Sequence, residues 1–154
     1  MVVAMIKSSL HTSFWQAQCT LKQQGRGFHL ITDEVKSAMQ TMPWFEIGVV
    51  NLFLRHTSAS IAISENACKD VVWDLENYFT QTVPDNNSLY RHTLEGDDDM
   101  PAHIKNVMLG ASLNIPLHEN QMLLGQWQGI FLCEHRNQAG SRQLVITVQG
   151  QVKT

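Results

Sequence analysis

The chain has 154 residues, 44% apolar and 16% charged, with a formal net charge of -3. That length supports one domain with its own core, and that composition excludes a disordered chain. A small negative charge with no Lys/Arg cluster excludes a charge-driven nucleic-acid surface, so no nucleic-acid partner is expected. Residues 1–10 open apolar but soon meet Lys7, Ser8 and Ser9, too early for the apolar core of a signal peptide. No run is long enough to span a membrane, so a cytoplasmic chain without a membrane partner is expected. Cys19, Cys68 and Cys133 are far apart with no CxxC and read as reduced, buried thiols. No repeat or linker divides the chain, which reads as a single domain, 1–154.

In chain order, Gln16 to Leu21 reads as a strand, Gly25-Arg26-Gly27 as a turn and Phe28 to Ile31 as a second strand, a hairpin-like start. Thr32 reads as the cap of a helix carrying Val35, Ala38, Met39 and Met42 and stopped by Pro43. Ile47 to Leu54 is almost continuously apolar, the pattern of a strand buried on both faces or nearly so. Ser58 to Ser64 alternates, with Ile61 and Ile63 inside. Asp70 to Thr80 reads as an amphipathic helix with Val71, Val72, Leu75, Tyr78 and Phe79 inward and Asp74, Glu76 and Asn77 outward. A turn-rich loop follows from Pro84. A third helix starts near Asp99, carries Ile104, Val107 and Met108, and stops at Gly110. Ser112 to Leu117, Met122 to His135 and Arg142 to Gln149 read as strands. Gly125 and Gly129 mark a bulge or a close backbone approach in the second of these. Strands without intervening helices in the last third predict an antiparallel, β-rich α+β domain with about three helices.

The segment Arg91 to Ile104 carries the densest chemistry, with His92 and His103 bracketing Glu95, Asp97, Asp98 and Asp99. If Asp99 caps the helix and Pro101 occupies its first turn, His103 lies one turn on, on the same side. Two histidines with a carboxylate can hold a divalent cation or move a proton. The bland alternative is a solvated acidic loop before an ordinary capped helix. Asp99 is expected to serve the cap first, which leaves His92, Asp97 and His103 as the metal-ligand set. Carboxylates point to magnesium, and the two histidines admit zinc, manganese or nickel. His56, in Arg55-His56-Thr57-Ser58-Ala59-Ser60, ends a buried strand and is a third candidate acid or base, though its hydroxyl neighbours equally suit a plain strand end. A nucleophilic Ser58 or Ser60 lacks a GxSxG elbow. Ser64 or Asn66 can cap the second helix or, for Asn66, donate to an anion at its N-terminus. Gln126, Gln128 and Glu134 share one strand face opposite Trp127 and are either a ligand surface or an exposed polar face. His11, His29, His118 and His135 read as surface or structural.

His56-Thr57-Ser58-Ala59-Ser60, Asn66-Ala67, the His92 to His103 segment and Gly125-Gln126-Trp127-Gln128-Gly129-Ile130, in this order and spacing, resemble the YjbQ family of unknown function. The likeness is strong over residues 45 to 150 and looser before. It departs at Gln126, where threonine usually precedes the Trp-Gln pair. The resemblance implies a β-sandwich-like domain, a homotrimer, and a polar pocket lined by the matching histidines near a subunit boundary. It also implies a weak thiamine-phosphate synthase activity, joining an aminopyrimidine methyl diphosphate to a thiazole phosphate and releasing pyrophosphate. In that reaction the catalytic candidates are His56, His92 and His103. A cation would neutralise the leaving oxygens. Arg55, His56, Asn66 and Arg91 would supply phosphate donors and Trp127 a stacking surface, with Ser60, Gln128 and Glu134 completing the substrate-binding set. The competing reading is a trimeric protein that captures a small anion or metabolite through the same pocket, with catalysis incidental.

Overall fold

Strand β1, Thr12–Leu21, alternates more and less exposed side chains along its length, the signature of a strand with one face on a core. It is the first element of the computed structural model, which describes residues 12–152. The opening segment read at 1–10 and His11 lie outside the described residues. The chain continues through β2 (Gly27–Leu30), α1 (Thr32–Ala38), β3 (Phe45–Leu54), β4 (Ala59–Glu65), α2 (Lys69–Thr82), α3 (Asp99–Leu109), β5 (Ser112–His118), β6 (Gln121–Met122), β7 (Gln128–Glu134) and β8 (Arg142–Val152). Two sheets form, β1-β8-β3-β5-β6 and β2-β7-β4, and every pairing is antiparallel. One buried cluster joins Val50, Leu52, Ile115 and Ile146 of the larger sheet to Ile61, Ile130 and Leu132 of the smaller one, with Val35 of α1. The expected β-rich, antiparallel α+β architecture is what the chain adopts.

Several local expectations are corrected. The start is not a hairpin: β1 pairs with β8, and β2 with β7 in the other sheet. Thr32 is inside α1 and does not cap it; Ile31 holds the cap position, and the Thr32 hydroxyl accepts the Ile130 N–H at 2.9 Å. The helix ends at Ala38, before Met42. In α2, Tyr78 is exposed, and Glu76 turns back to pair with Arg26 at 2.8 Å. Val107 and Met108 of α3 are exposed. Cys68 is exposed, against the expectation of buried thiols. The long strand from Met122 is interrupted: Gln128 N–H donates to the Gly125 carbonyl at 2.9 Å, while the Gln128 side-chain oxygen accepts the Gly125 N–H at 2.7 Å. That reciprocal pair makes a turn where alternation had suggested a strand. The expected close approach does occur at Gly129, where a Cβ would sit 2.4 Å from Leu30 Cδ1 and 3.0 Å from Asn66 Cβ.

The continuous apolar run of β3 has one buried face, not two. Val50, Leu52 and Leu54 are buried, while Val49 and Phe53 are 44% and 47% exposed. Register extends this outer face across four strands as the rows Phe14–Gln149–Val49–Pro116, Gln16–Thr147–Asn51–Asn114 and Gln18–Val145–Phe53–Ser112. None of these twelve positions carries a charge. The middle row is bonded in two pairs: Gln16 donates to Thr147 Oγ1 at 2.8 Å, and Asn51 to Asn114 Oδ1 at 3.0 Å.

Candidate functional site

Two connections step from one sheet to the other at the same end of the molecule. Residues 55–58 lead from β3 to β4, and residues 135–141 lead from β7 to β8. The body of α3 lies against β4 at that end. Asn106 Nδ2 donates to the Ala59 carbonyl at 2.6 Å, and Ile61 N–H to the Gly110 carbonyl at 3.2 Å. Gly110, at φ 88°, stops the helix where expected. The loop that precedes α3 is closed at its base by Asn86 N–H donating to the Asp97 carbonyl at 3.1 Å. His92 comes from this loop.

Asp99 is the centre of the arrangement. Its carboxylate is 1% exposed. Oδ2 lies 2.7 Å from His92 Nε2 and 3.4 Å from His103 Nε2, and Oδ1 is held by Arg136 Nη1. The two imidazole rings are 5.4 Å apart, and one donor atom from each of the three residues falls within 4.8 Å of the others. Burial opposes ionisation of Asp99, but Arg136 and the two histidines outweigh it and hold the carboxyl below its usual value. His103 Nδ1 lies 2.8 Å from the Thr57 carbonyl. A carbonyl only accepts, so Nδ1 carries a hydrogen, and Nε2 is the His103 atom turned toward Asp99. Oδ2 has no hydrogen bond of good geometry.

Arg136 also binds Asp98 Oδ2 through Nε at 3.2 Å and the Glu95 carbonyl through Nη2 at 2.7 Å. Asp98, not Asp99, stands at the N-cap of α3, and neither side chain caps the helix. The Asp98 carboxylate turns outward to accept the Asn137 N–H at 2.7 Å. The cap expected of Asp99 is therefore absent, and Asp97, the carboxylate expected beside the histidines, is exposed and outside the cluster. Three consecutive aspartates look alike in sequence; only the burial of the second and third separates them.

Behind the centre lies a buried polar layer. Glu134 is fully buried and takes Arg142 Nε and Nη2 at 2.7 Å each. Arg142 reaches Ser58 Oγ at 3.2 Å. His56 accepts the Gln143 N–H on Nε2 at 2.7 Å and faces Arg142 with Nδ1 at 3.3 Å. Burial and then Arg142 lower its pKa. With its Nε2 lone pair occupied by the backbone, His56 fixes the turn rather than reaching toward Asp99. Ser60 is completely buried and bonded to His135 Nε2 at 2.9 Å, so it has no access to a substrate. Lys105 is 1% exposed, its Nζ has no hydrogen-bond partner among the described residues, and burial lowers its pKa.

His135 gives a prediction about acid stability. Burial, then Lys105, Arg26 and Arg142, push its pKa from 6.5 down to about 3. Below 6.5 the unfolded chain binds a proton that the folded chain refuses, so stability falls as pH drops from 6.5 toward 3. His135→Gln is expected to flatten that slope between pH 6.5 and 4 in urea denaturation. An unchanged slope would place the proton uptake elsewhere.

The model of the family described as "UPF0047 protein YjbQ-like" matches residues 17–151. The chain belongs to the YjbQ family. It is 48% identical over 138 residues to the UPF0047 protein YjbQ of Escherichia coli O157:H7, covering 90% of this chain and 99% of that one. It is 38% identical over 148 residues to a UPF0047 protein of Synechocystis, covering 96% and 100%. A solved structure of a YjbQ/UPF0047 family protein from Clostridium acetobutylicum is 31% identical, with a TM-score of 0.76 over 86% of this chain and 98% of that one. A YjbQ-like protein of unknown function from Sulfolobus solfataricus shares the fold at a TM-score of 0.78 and 21% identity, over 92% and 100%.

The segments that carried the YjbQ likeness do not gather in one place within a single chain. Ala59 pairs with Glu134 and Glu65 with Gln128, at opposite ends of the β4–β7 ladder. Six residues of strand separate these ends by about 20 Å. His92, His103 and Asp99 belong to the Glu134 end. Asn66, Trp127 and Gln128 belong to the other, where Asn66 Nδ2 donates to the Gln128 carbonyl at 3.2 Å. Neither Ser64 nor Asn66 caps α2, whose cap position is Cys68. Trp127 is exposed beside a cleft of about 500 Å³ lined by Ile63, Ser64, Glu65, Ala67 and Gln128. The face expected to join Gln126, Gln128 and Glu134 is broken by the Gly125 turn, and Glu134 is buried on Arg142. Arg55 and Arg91 are exposed, with no ion pair among the described residues. Arg136 and Arg142 escaped the sequence reading, which held Asp98 only as one of three undivided aspartates. Their signal was indirect: buried acids need donors, and two arginines flank the turn after β7.

Proposed function

We propose that this YjbQ-family chain is a small cation-assisted enzyme acting on a phosphorylated heterocycle, with His92, Asp99 and His103 as the cation's protein ligands. The observation that carries this reading is the approach of two imidazole Nε2 atoms to one buried carboxylate oxygen that lacks a proper hydrogen bond. Two ring nitrogens converging on one carboxylate oxygen need a proton or a cation between them and it. The Thr57 carbonyl on His103 Nδ1 is the outer partner that ligating histidines usually have. Two nitrogens and one oxygen favour zinc or manganese over the magnesium expected from carboxylates alone. Three protein ligands leave positions open, as catalytic sites require.

When bound, such a cation would polarise a phosphate oxygen and stabilise the leaving group. His92, half-exposed, is where a ligand can reach the centre. Arg55 precedes the turn that holds His103, and Arg91 adjoins His92; both offer free guanidinium groups for phosphate oxygens. The finer reading is thiamine-phosphate synthesis from the aminopyrimidine methyl diphosphate and the thiazole phosphate. The uncharged outer face of the larger sheet supports association with other copies of the chain, because charge is depleted at the centre of interfaces, and the family resemblance makes that assembly a homotrimer.

A second reading is capture of a small anion or metabolite by the same residues. It is favoured by Arg136, whose guanidinium is already engaged by Asp98, Asp99 and the Glu95 carbonyl and is thereby committed to holding the protein rather than a developing charge. The test is turnover of the two thiamine precursors with added zinc, manganese or magnesium. Pyrophosphate release is expected to need the cation and to fall at least about 100-fold in folded His92→Ala and His103→Ala, the scale of a lost catalytic group. Full turnover in both variants sinks the enzymatic reading. Calorimetric binding of a phosphorylated ligand without turnover selects capture. In light scattering the same preparation is expected at three times the 17.4 kDa chain mass.

A further inference from the structure

We propose that Glu134 is a positioning residue that sets two of the three donors of the His92–Asp99–His103 centre through separate arms. The inference rests on the reading of that centre as a cation site. It gives Glu134 a role without substrate contact, in place of the surface role its strand position suggested.

The first arm runs through Arg142. Its Nε and Nη2 grip the two Glu134 oxygens at 2.7 Å. Nη2 also reaches Ser58 Oγ at 3.2 Å, and Nη1 faces His56 Nδ1 at 3.3 Å. His56 and Ser58 stand on either side of Thr57, so the Arg142 contact to Ser58 Oγ and the Gln143 N–H bound to His56 Nε2 at 2.7 Å together aim the Thr57 carbonyl. That carbonyl takes the His103 Nδ1–H at 2.8 Å and thereby fixes the ring's tautomer and direction.

The second arm runs through the main chain of Arg136. Its N–H donates to Glu134 Oε1 at 3.0 Å, which sets the turn leaving β7 and the point from which the guanidinium departs. That guanidinium holds Asp99 Oδ1 and, at 3.2 Å, Asp98 Oδ2. One buried carboxylate thus accepts three N–H groups and controls both the tautomer of His103 and the placement of Asp99. A pair that merely tied β7 to β8 would need only the two contacts with Arg142.

The test compares the wild-type chain with Glu134→Gln by imidazole nitrogen NMR and by titration with cobalt(II) alone. His103 is expected as the Nδ1–H tautomer in the wild type and as a mixture of tautomers in the variant. Cobalt affinity is expected to fall about 10- to 100-fold, as for other outer-shell losses, and the visible bands of bound cobalt to shift while circular dichroism stays unchanged. If the single variant does not fold, Glu134→Gln with Arg142→Met removes both buried charges together, a change that buried ion pairs often tolerate, and the same losses are expected. A folded variant with unchanged tautomer and cobalt affinity overturns the proposal. Release of the tautomer in a chain whose wild type takes up no cobalt upholds the positioning and overturns the cation reading instead.

Discussion

Asp99→Asn is expected to weaken zinc binding by more than about 100-fold, beyond the range of outer-shell losses. The amide keeps the shape of the carboxylate but not its charge, and an amide oxygen is a poorer partner for both a cation and Arg136. Asp97→Asn is the matched control. It removes the same charge two residues away, from an exposed side chain outside the cluster, and is expected to leave affinity within about twofold, as a screened surface charge should. Calorimetric titration of both proteins decides the matter. If the two variants behave alike, the effect is one of general charge, and Asp99 has no special place. Fold stability is to be followed in parallel, because the Asp99→Asn change would leave Arg136 with Asp98 as its one carboxylate partner.

Gly150→Ala is expected to cost about 3 kcal/mol or more, at the upper end for overpacked sites. A Cβ at Gly150 would lie 2.2 Å from the Ile47 carbonyl oxygen and 2.7 Å from Gly48 Cα. These are backbone atoms of the neighbouring strand and cannot swing aside. The pairing of β3 with β8 already shifts register between Phe45 and Ile47, and the Gly48–Gly150 pair lets the two strands close up beside that irregularity. Gly140→Ala is the control, since nothing lies within 4 Å of a Cβ there. Urea denaturation midpoints should separate the two variants clearly; equal midpoints would mean that the strands part easily at this point.

Periodicity carried most of the fold. β8 was legible because Leu144, Ile146 and Val148 alternate with residues that face out, and α3 because Gly110 ends it. β3 was legible as a strand but not in its burial, since Val49 and Phe53 are as apolar on the exposed face as Val50 and Leu52 are on the buried one. The Gly125 turn was hidden because its decisive contact is made by the Gln128 side chain, which alternation counts as a strand position. At the site, the approach of His92 to His103 followed from their spacing around a helix start. The choice among the three aspartates did not, because it is made by Arg136, 37 positions beyond Asp99. Arg136 is aimed by a turn between sheets, and no local pattern announces it. Glu134 was placed correctly on its strand, yet its burial was invisible until Arg142 was seen to cover it.

The division of Asp99 between two neighbours has a consequence for coordination number. Oδ1 is engaged by a guanidinium and only Oδ2 faces the imidazoles, so the carboxylate can bind a cation through one oxygen but cannot chelate it. A cation held there would have three protein ligands rather than four. Arg136 also draws electron density from the carboxylate it holds. A cation there would be a sharper Lewis acid, held less tightly and exchanged more readily, than one clasped by an unshared aspartate.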